Sequence, residues 1–448
     1  MAESLLNRRS DAIRRLARKG ATAAIAKVVA NTRAEDLAAA ITHLGPAEQR
    51  VVFQHVRDDH VAADVLVRLG PEELNRLLVD LPIDRVARLV REMDADDQAD
   101  LLEHLPEDRR EAVLARLHGE EREEIEELMG YPPDSAGGIM SPVAFRLRED
   151  ATCRDAIASV QEASDHELVY YAYVENEAGQ LVGVTSLRNL LTHPPSTKLA
   201  DIMTTDVIAV EATTDQEEVA RIAGRYDLLA VPVVDDHRKL LGIVTVDDVI
   251  DVIREEAAED MLLMAGVGEE KQEAVTRMGT VRRRLPWLAV TLVLGLVISE
   301  IVGRFSATLR ADLALAGFIP MLTGMSGNVG IQSATVTVRN IALGRMDDGI
   351  GGRIGTEVFT GFVMGCLFAS AVGVYSFVRY ADVHVAASVS IAGMCNVTAA
   401  ALMGAFVPLT LRRVGVDPAI ATGPFVTTVM DAVGVTIYLS IATGLGGL

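Results

Sequence analysis

Residues 419–445, AIATGPFVTTVMDAVGVTIYLSIATGL, form a long apolar run with a single charged side chain, Asp431, near its middle. A helix needs ~20 predominantly apolar residues to cross a bilayer, so the run is long enough to span one. An ionised carboxylate at the bilayer centre costs at least ~2.5–3.5 kcal/mol, and such residues usually face a pore or cavity. The alternative is a protonated Asp hydrogen-bonded to a neighbouring helix. Thr427 lies four residues before Asp431, on the same face of a helix.

Four more apolar spans precede this one, at about 285–303, 313–340, 355–380 and 384–411. An odd number of spans puts the two ends of the region on opposite sides. Arg282–Arg284, Arg339, Arg345, Arg353, Arg412 and Arg413 flank one side, eight in all, against Arg304, Arg310 and Arg379 on the other. The positive-inside rule places the preceding region in the cytoplasm and Leu448 outside. The membrane region holds 22 of the 36 glycines, including Gly361-x-x-x-Gly365 and Gly434. Small residues of this kind allow close helix packing. The cluster Gly324, Gly327 and Gly330 with Ser326, Asn328 and Gln332 is expected to loosen its helix and free carbonyls, which suit a hard cation or its waters. Asn396 and Thr398 in the fourth span either line the same path or bond a neighbouring helix. Glu300 and Glu357 lie near span ends and are expected to snorkel to water.

The rest of the chain has a different composition. Overall there are 42 Lys+Arg and 63 Asp+Glu, a net charge of −21, yet half the residues are hydrophobic. Residues 281–448 carry 11 basic and 8 acidic residues, so residues 1–280 hold a net −24 against +3. No domain offers the basic face that a nucleic-acid binder needs, which excludes that class, and the acidic part is a poor ligand for anionic lipid. The basic opening stretch, residues 1–20, has no apolar core long enough for a secretory signal. Cys153, Cys366 and Cys395 are too scattered for a disulfide framework or a zinc site.

Within residues 44–128 the segments LGPEEL, LPIDRV, MDADDQ, LPEDRR and LHGEER recur every 12 residues from Leu69, and LGPAEQ and VRDDHV precede them with one slip. Each opens with an apolar residue, then Pro, Gly or Asp, then acids suited to a first helical turn. This predicts a solenoid of short helices over 1–136. Residues 137–258 contain a longer duplication. Ile139-Met140-Ser141-Pro142 is echoed by Ile202-Met203-Thr204-Thr205, and Gln180-Leu-Val-Gly-Val-Thr185 by Lys239-Leu-Leu-Gly-Ile-Val-Thr245. Each copy alternates helix and strand, an α/β pattern that resembles a tandem CBS pair. Residues 259–284 read as a connecting helix, and 285–448 as an α-helical polytopic membrane domain of five helices.

Several carboxylates cluster: Asp94, Asp96, Asp97 and Asp100; Asp247, Asp248 and Asp251; Glu255, Glu256, Glu259 and Asp260; and Asp417 beside the membrane. Each is either a solvated face or a surface that repels until cations neutralise it. No span holds a basic pair for an anion, nor a His/Cys/Met set for copper or zinc. One carboxylate with amides, hydroxyls and carbonyls suits a hydrated hard cation such as Mg²⁺, which keeps its waters. There is no P-loop, nucleophile elbow or catalytic His constellation, so no enzyme is expected.

The order of acidic solenoid, CBS pair, connecting helix and five spans resembles the MgtE family of magnesium channels. Pro320-x6-Gly327-Asn328-x-Gly330-x-Gln332-Ser333 and Gly423-Pro-Phe-Val-Thr427-Thr-x-x-Asp431 carry the resemblance in the membrane. It implies a homodimer in the cytoplasmic (inner) membrane with a pore on its two-fold axis, lined by Asp431, Thr427, Gly327, Asn328 and Gln332. It also implies Mg²⁺ held by Asp431 and by the acidic clusters, with cytosolic Mg²⁺ closing the gate. A CBS pair offers ATP the Asp of a Ser/Thr-x-x-Asp run: Thr245-x-x-Asp248 in the second copy, and Ser186-Leu-Arg188-Asn189, with Asn instead of Asp, in the first. An energy-coupled carrier for divalent cations using Asp431, and a nucleotide-sensing receptor that transports nothing, are the alternatives.

Overall fold

The computed structural model describes residues 13–16, 21–162, 170–265, 277–342 and 350–446. The middle of the expected connecting helix, Arg345 and most of the basic opening stretch lie outside these residues. The chain forms two compact units, Met1–Arg254 and Glu255–Leu448.

The first unit opens with short helices: α1 (Thr22–Val29), α2 (Ala34–Thr42), α3 (Pro46–Phe53), α4 (Asp59–Val67), α5 (Pro71–Asp80), α6 (Ile83–Val90), α7 (Ala95–Glu103), α8 (Glu107–Leu114) and α9 (Gly119–Leu128). From α4 onward each helix starts 12 residues after the last, and the one slip in the sequence rhythm falls between α3 and α4. The apolar residue that opens each repeat explains the period. Leu44, Val56, Leu69, Leu81, Met93 and Leu105 all point into the core. Helices this short have many unpaired terminal carbonyls. Arginines from later turns cap them: Arg85 donates to the Val56 carbonyl at 2.7 Å, and Arg109 to those of Leu78, Val79 and Leu81 at 2.6–3.0 Å.

The duplication becomes two three-stranded sheets. β1 (Arg146–Arg148) runs parallel to β2 (Tyr171–Glu175), which pairs antiparallel with β3 (Leu181–Ser186). β4 (Val210–Glu211), β5 (Ala230–Val234) and β6 (Leu240–Thr245) repeat the order. Both central strands carry a register shift at the same place, before Glu175 and before Val234. Helices α10 (Cys153–Glu162), α11 (Leu187–Thr192), α12 (Leu199–Ile202) and α13 (Gln216–Tyr226) flank the sheets. The echoed Ile-Met segments cross between copies: Ser141 bridges to Ile243, and Thr204 to Val184. This crossing accounts for the glycine in each strand motif, since a Cβ on Gly242 would lie 2.5 Å from the Ser141 carbonyl and one on Gly183 would overlap Met203. One hydrophobic core runs from the solenoid into the second CBS copy, through Ala136, Met140, Val231 and Val252.

Helix α14 (Val246–Met264) leaves β6. The second unit holds its last turns and five helices long and apolar enough to cross a membrane: α15 (Arg277–Arg304), α17 (Ala314–Ala342), α18 (Ile350–Tyr380), α19 (Val383–Arg413) and α20 (Pro424–Gly446). A short helix α16 (Ser306–Ala311) and a 3₁₀ turn (Pro418–Thr422) link them. Helix α19 is the centre of the bundle, with Val389, Ala392 and Ala400 fully buried. Gly361 and Gly365 in α18 give it close contact: a Cβ on either would collide with Ala401 or the Met394 carbonyl. By contrast, none of the apolar window Arg284–Arg304 of α15 is buried within the chain.

Candidate functional site

The glycine-rich part of α17 does not loosen. The helix is unbroken from Ala314 to Ala342, so the expected free carbonyls are absent there. The glycines instead bring α17 flush against α20. A Cβ on Gly327 would lie 3.1 Å from Thr427 Cγ2, and one on Gly330 would lie 3.3 Å from Met430 Cγ. Helix–helix contact in a bilayer depends on such close approach, because apolar burial gives little drive there. The contact puts the turn bearing Asn328 beside Thr427, one turn before Asp431. Gly324, Asn328 and Gln332 share the α17 face left exposed in the single chain, while Thr427 and Asp431 are half-buried. A polar stripe on an apolar span beside a carboxylate is costly against lipid and favourable along an aqueous path.

Asn396 resolves one open choice. Its Nδ2 donates across the bundle to the Gly434 carbonyl at 3.1 Å, and the residue is only 2% exposed. Thr398 bonds back to the Met394 carbonyl of its own helix. Asn396 therefore holds α20 one turn beyond Asp431, and Gly434 has no Cβ that would crowd the amide. Glu357 also departs from the expected snorkelling. Its Oε2 accepts a bond from Ser333 Oγ at 2.9 Å, and Ser333, 3% exposed, lies equally close to the Ala401 carbonyl. The sequence contained one hint of this bridge, since Ser333 ends the glycine motif. Glu300 is exposed on α15.

In the first unit the opening of α7 meets the first turn of α14. Asp96 is pushed well up from the ordinary carboxylate range, first by burial and then by the charges of Asp248, Asp97 and Asp94. Asp97 is raised to about 7 by burial, then by Asp248, Asp94 and Asp100, against a lowering by Arg68. Asp248 is raised to about 6, chiefly by burial, although Thr245 bonds to its Oδ2 through backbone N–H and hydroxyl. The Oδ1 of Asp96 is sealed from solvent and has no hydrogen-bond partner. A buried acceptor of this kind is costly unless a donor or cation meets it. Asp251 takes no part: it is exposed and pairs with Arg254 at 3.0 Å. Asp247 is exposed and acts on Asp248 through its charge.

A second cluster lies in the other unit. Asp260 is raised to about 6 by burial, then by Asp417 and Glu256. Asp417 caps the 3₁₀ turn, accepting from Ala419 N–H at 2.7 Å. Leu263, Val338 of α17 and Ala419 form a small apolar cluster beside it. Glu255 and Glu259 occupy the same helical stretch, each with interactions of its own. Among the described residues, no three acidic, His or Cys side chains have converged as a finished cation cage. Both clusters are crowded surfaces rather than cages.

The two nucleotide motifs stand at the starts of α11 and α14. Ser186 Oγ caps α11 by accepting from Asn189 N–H at 3.2 Å, and Arg188 is exposed. Asp248, the carboxylate of the second motif, is the one that faces the α7 acids. The structure does not bring Arg188 and Asn189 into one described cluster with Thr245 and Asp248.

Family models match three stretches: a divalent cation transporter over residues 319–441, the MgtE intracellular N domain over 32–134 and a CBS domain over 199–255. The magnesium transporter MgtE of Enterococcus faecalis is 38% identical over 326 residues, 72% of either chain. That of Thermus thermophilus is 39% identical over 332 residues, again 72% of each. A solved structure of the cytosolic domain of the Mg²⁺ channel MgtE in complex with ATP matches 54% of this chain and 99% of its own, with 38% identity and a TM-score of 0.51. The soluble part of a magnesium transporter matches 56% and 99%, with 30% identity and a TM-score of 0.50. These relatives are named as transporters and not as enzymes. With the membrane region, the N-terminal solenoid and the second CBS copy each matched, and relatives 38–39% identical over 72% of either chain, the chain is a multi-pass membrane protein of the MgtE family of magnesium transporters.

Proposed function

We propose that the chain forms a Mg²⁺-selective channel in the cytoplasmic membrane, with Asp431 as the central ion site and the acidic clusters as sensors that close it. The observation that carries this reading is the polar face Asn328/Gln332 of α17, packed through Gly327 on Thr427 and α20. One carboxylate with amides and a hydroxyl suits an ion that keeps most of its water. A homodimer would place two such faces around one path and give α15 the cover it lacks within one chain. The orientation follows the arginine bias, with the acidic unit in the cytoplasm.

Closure would work by neutralisation. Asp96, Asp97 and Asp248 repel while uncompensated, and a bound Mg²⁺ stabilises the arrangement that brings them together. The second cluster sits where the end of α14 touches α17 and the 3₁₀ turn, so its state bears directly on the spans. We take Asp431, Asp94, Asp96, Asp97, Asp100, Asp247, Asp248, Asp251, Glu255, Glu256, Glu259, Asp260 and Asp417 as the residues that meet the ion. Asp251, which faces solvent and Arg254, is the weakest member of the set. ATP is proposed at the Thr245-x-x-Asp248 motif, supported by the ATP complex of the similar cytosolic domain. Uptake of Mg²⁺ into reconstituted vesicles by wild type and Asp431→Ala tests the pore. Uptake is expected to fall to the level of empty vesicles in the variant, and uptake at the wild-type rate would defeat the assignment. Strict coupling to protons, in place of unitary currents, would favour a carrier.

A further inference from the structure

The backbone of α20 places the Asp431 carboxylate, since among the described residues no hydrogen bond or ion pair reaches it. Two contacts bracket it. Four residues before, Thr427 packs on α17, where a Cβ on Gly327 would lie 3.1 Å from its Cγ2. Three residues after, Gly434 meets α19 and α17 together. Asn396 Nδ2 donates to the Gly434 carbonyl at 3.1 Å, and a Cβ on Gly434 would lie 3.3 Å from both that nitrogen and Ser326 Oγ. Asn396 and Ser326 are 2% and 1% exposed. The first contact is apolar and lets a helix turn or slide, whereas a hydrogen bond to a carbonyl has a preferred direction.

Stability does not explain the asparagine. Its Oδ1 is sealed from solvent and has no partner. Flipping the amide does not help, because Oδ1 would then face the Gly434 carbonyl. Ser326 Oγ donates to the Leu322 and Thr323 carbonyls of its own helix, at 2.9 and 3.0 Å. A buried acceptor left unpaired costs at least as much as the made bond returns, and interhelical bonds in a bilayer return little. What the amide adds is position. Side chains reach about 5–6 Å from a helix axis, so a rotation of about 10° carries the Asp431 carboxylate about 1 Å. Oxygens lie about 2.0–2.1 Å from Mg²⁺ and about 2.3–2.6 Å from Ca²⁺. The displacement is larger than the difference between the two ions.

We propose that Asn396 is a positioning residue for ion discrimination. With Gly434 and Ser326 it sets the rotation of α20, and so the distance at which Asp431 meets an ion or its water shell. The choice of Mg²⁺ over the larger Ca²⁺ depends on that distance, while passage itself does not. Asn396 does not touch the ion, and the inference rests on Asp431 as the central ion site proposed above. Tyr438 supplies an internal comparison. Its hydroxyl donates to the Leu315 carbonyl at 2.8 Å, a second buried bond that ties α20 to a neighbouring helix. It lies about 10 Å along the helix from Asp431, against about 4.5 Å for Gly434, at 1.5 Å per residue. Its loss loosens the bundle without freeing the turn that bears Asp431.

The test reconstitutes the full-length protein in vesicles loaded with an indicator and measures uptake of Mg²⁺ and of Ca²⁺ separately. Asn396→Ala removes the donor, and Gly434→Ala crowds it with a methyl group. Each should keep Mg²⁺ uptake within about threefold of wild type, since one weak interhelical bond is lost. Each should lower the ratio of Mg²⁺ to Ca²⁺ uptake about tenfold, the effect of a carboxylate held about 1 Å too loosely. Tyr438→Phe should leave that ratio at the wild-type value. An unchanged ratio in Asn396→Ala would overturn the inference. So would an equal fall in Tyr438→Phe, which would show a general loosening of the bundle. Loss of uptake of both ions in Asn396→Ala and Gly434→Ala alike would also overturn it, by making the contact part of the fold alone. Asp431→Ala in the same series keeps the two readings apart. Wild-type uptake there defeats the ion site, whereas a silent Asp431→Ala beside an unchanged ratio in Asn396→Ala defeats only the positioning role.

Discussion

Carboxylates are used in opposite ways in the two units. At the junction of α7 and α14, Asp94, Asp96, Asp97 and Asp248 crowd one another, and burial with mutual repulsion raises Asp96 well above the ordinary carboxylate range, Asp97 to about 7 and Asp248 to about 6. In the membrane, Asp431 is the single charged side chain of α20 and stands one turn after Thr427, the residue packed on Gly327. A crowd of acids is poised to be neutralised, so its occupancy switches with concentration. A lone acid among amides and hydroxyls binds weakly enough for an ion to leave again. In the channel proposed above, this difference gives sensing to the first place and passage to the second.

The largest effect that could break this contrast is at Gly327. A leucine there would drive α17 and α20 apart, since even a Cβ would sit 3.1 Å from Thr427. Gly327→Leu should reduce Mg²⁺ uptake to background while the folded, soluble-unit melting transition persists. Next comes the acidic crowd. Asp96→Asn with Asp97→Asn and Asp248→Asn should raise the inhibitory Mg²⁺ concentration by about tenfold or more, a change of ~1.4 kcal/mol in differential affinity. Flux against cytoplasmic-side Mg²⁺ in oriented vesicles measures it.

A pH series sharpens the contrast further. Asp97 and Asp248 bind protons more tightly folded than unfolded, with values near 7 and 6 against an ordinary 3.8. Their contribution to stability is thus fully present below about pH 4 and is lost as pH rises through 6 to 7. Calorimetry of the metal-free protein should show melting several degrees lower at pH 7.5 than at pH 5. Saturating Mg²⁺ should remove the difference. Proton competition should also weaken Mg²⁺ binding by about tenfold between pH 8 and pH 6. The smallest effect is at Asn396. Asn396→Leu deletes one interhelical bond to Gly434, worth about 0.6 kcal/mol in a bilayer, and should alter the melting of the membrane unit slightly.

Much of this was legible in the chain itself. The 12-residue rhythm marked the helix starts from α4 onward because each repeat must bury its opening apolar residue. The duplicated glycine strands marked the two sheets because each glycine is crossed by the other copy. The five spans followed from length and hydropathy alone. The behaviour of Gly324–Gln332 was not legible, since a glycine cluster serves a loosened helix and a tightly packed one equally well. The roles of Ser333, Glu357 and Asn396 depend on which helices touch, which periodicity does not encode. Asp248 looked like a nucleotide ligand and a metal ligand at once. The fold shows why: one carboxylate caps α14 and faces α7.

The most direct measurement compares wild type, Asp431→Ala and the triple Asp96/Asp97/Asp248→Asn variant for Mg²⁺ uptake into the same vesicles at low and high cytoplasmic-side Mg²⁺. The account predicts no uptake by Asp431→Ala at either concentration, and uptake by the triple variant that persists at the concentration that silences wild type. Uptake by Asp431→Ala, or normal silencing of the triple variant, would contradict it.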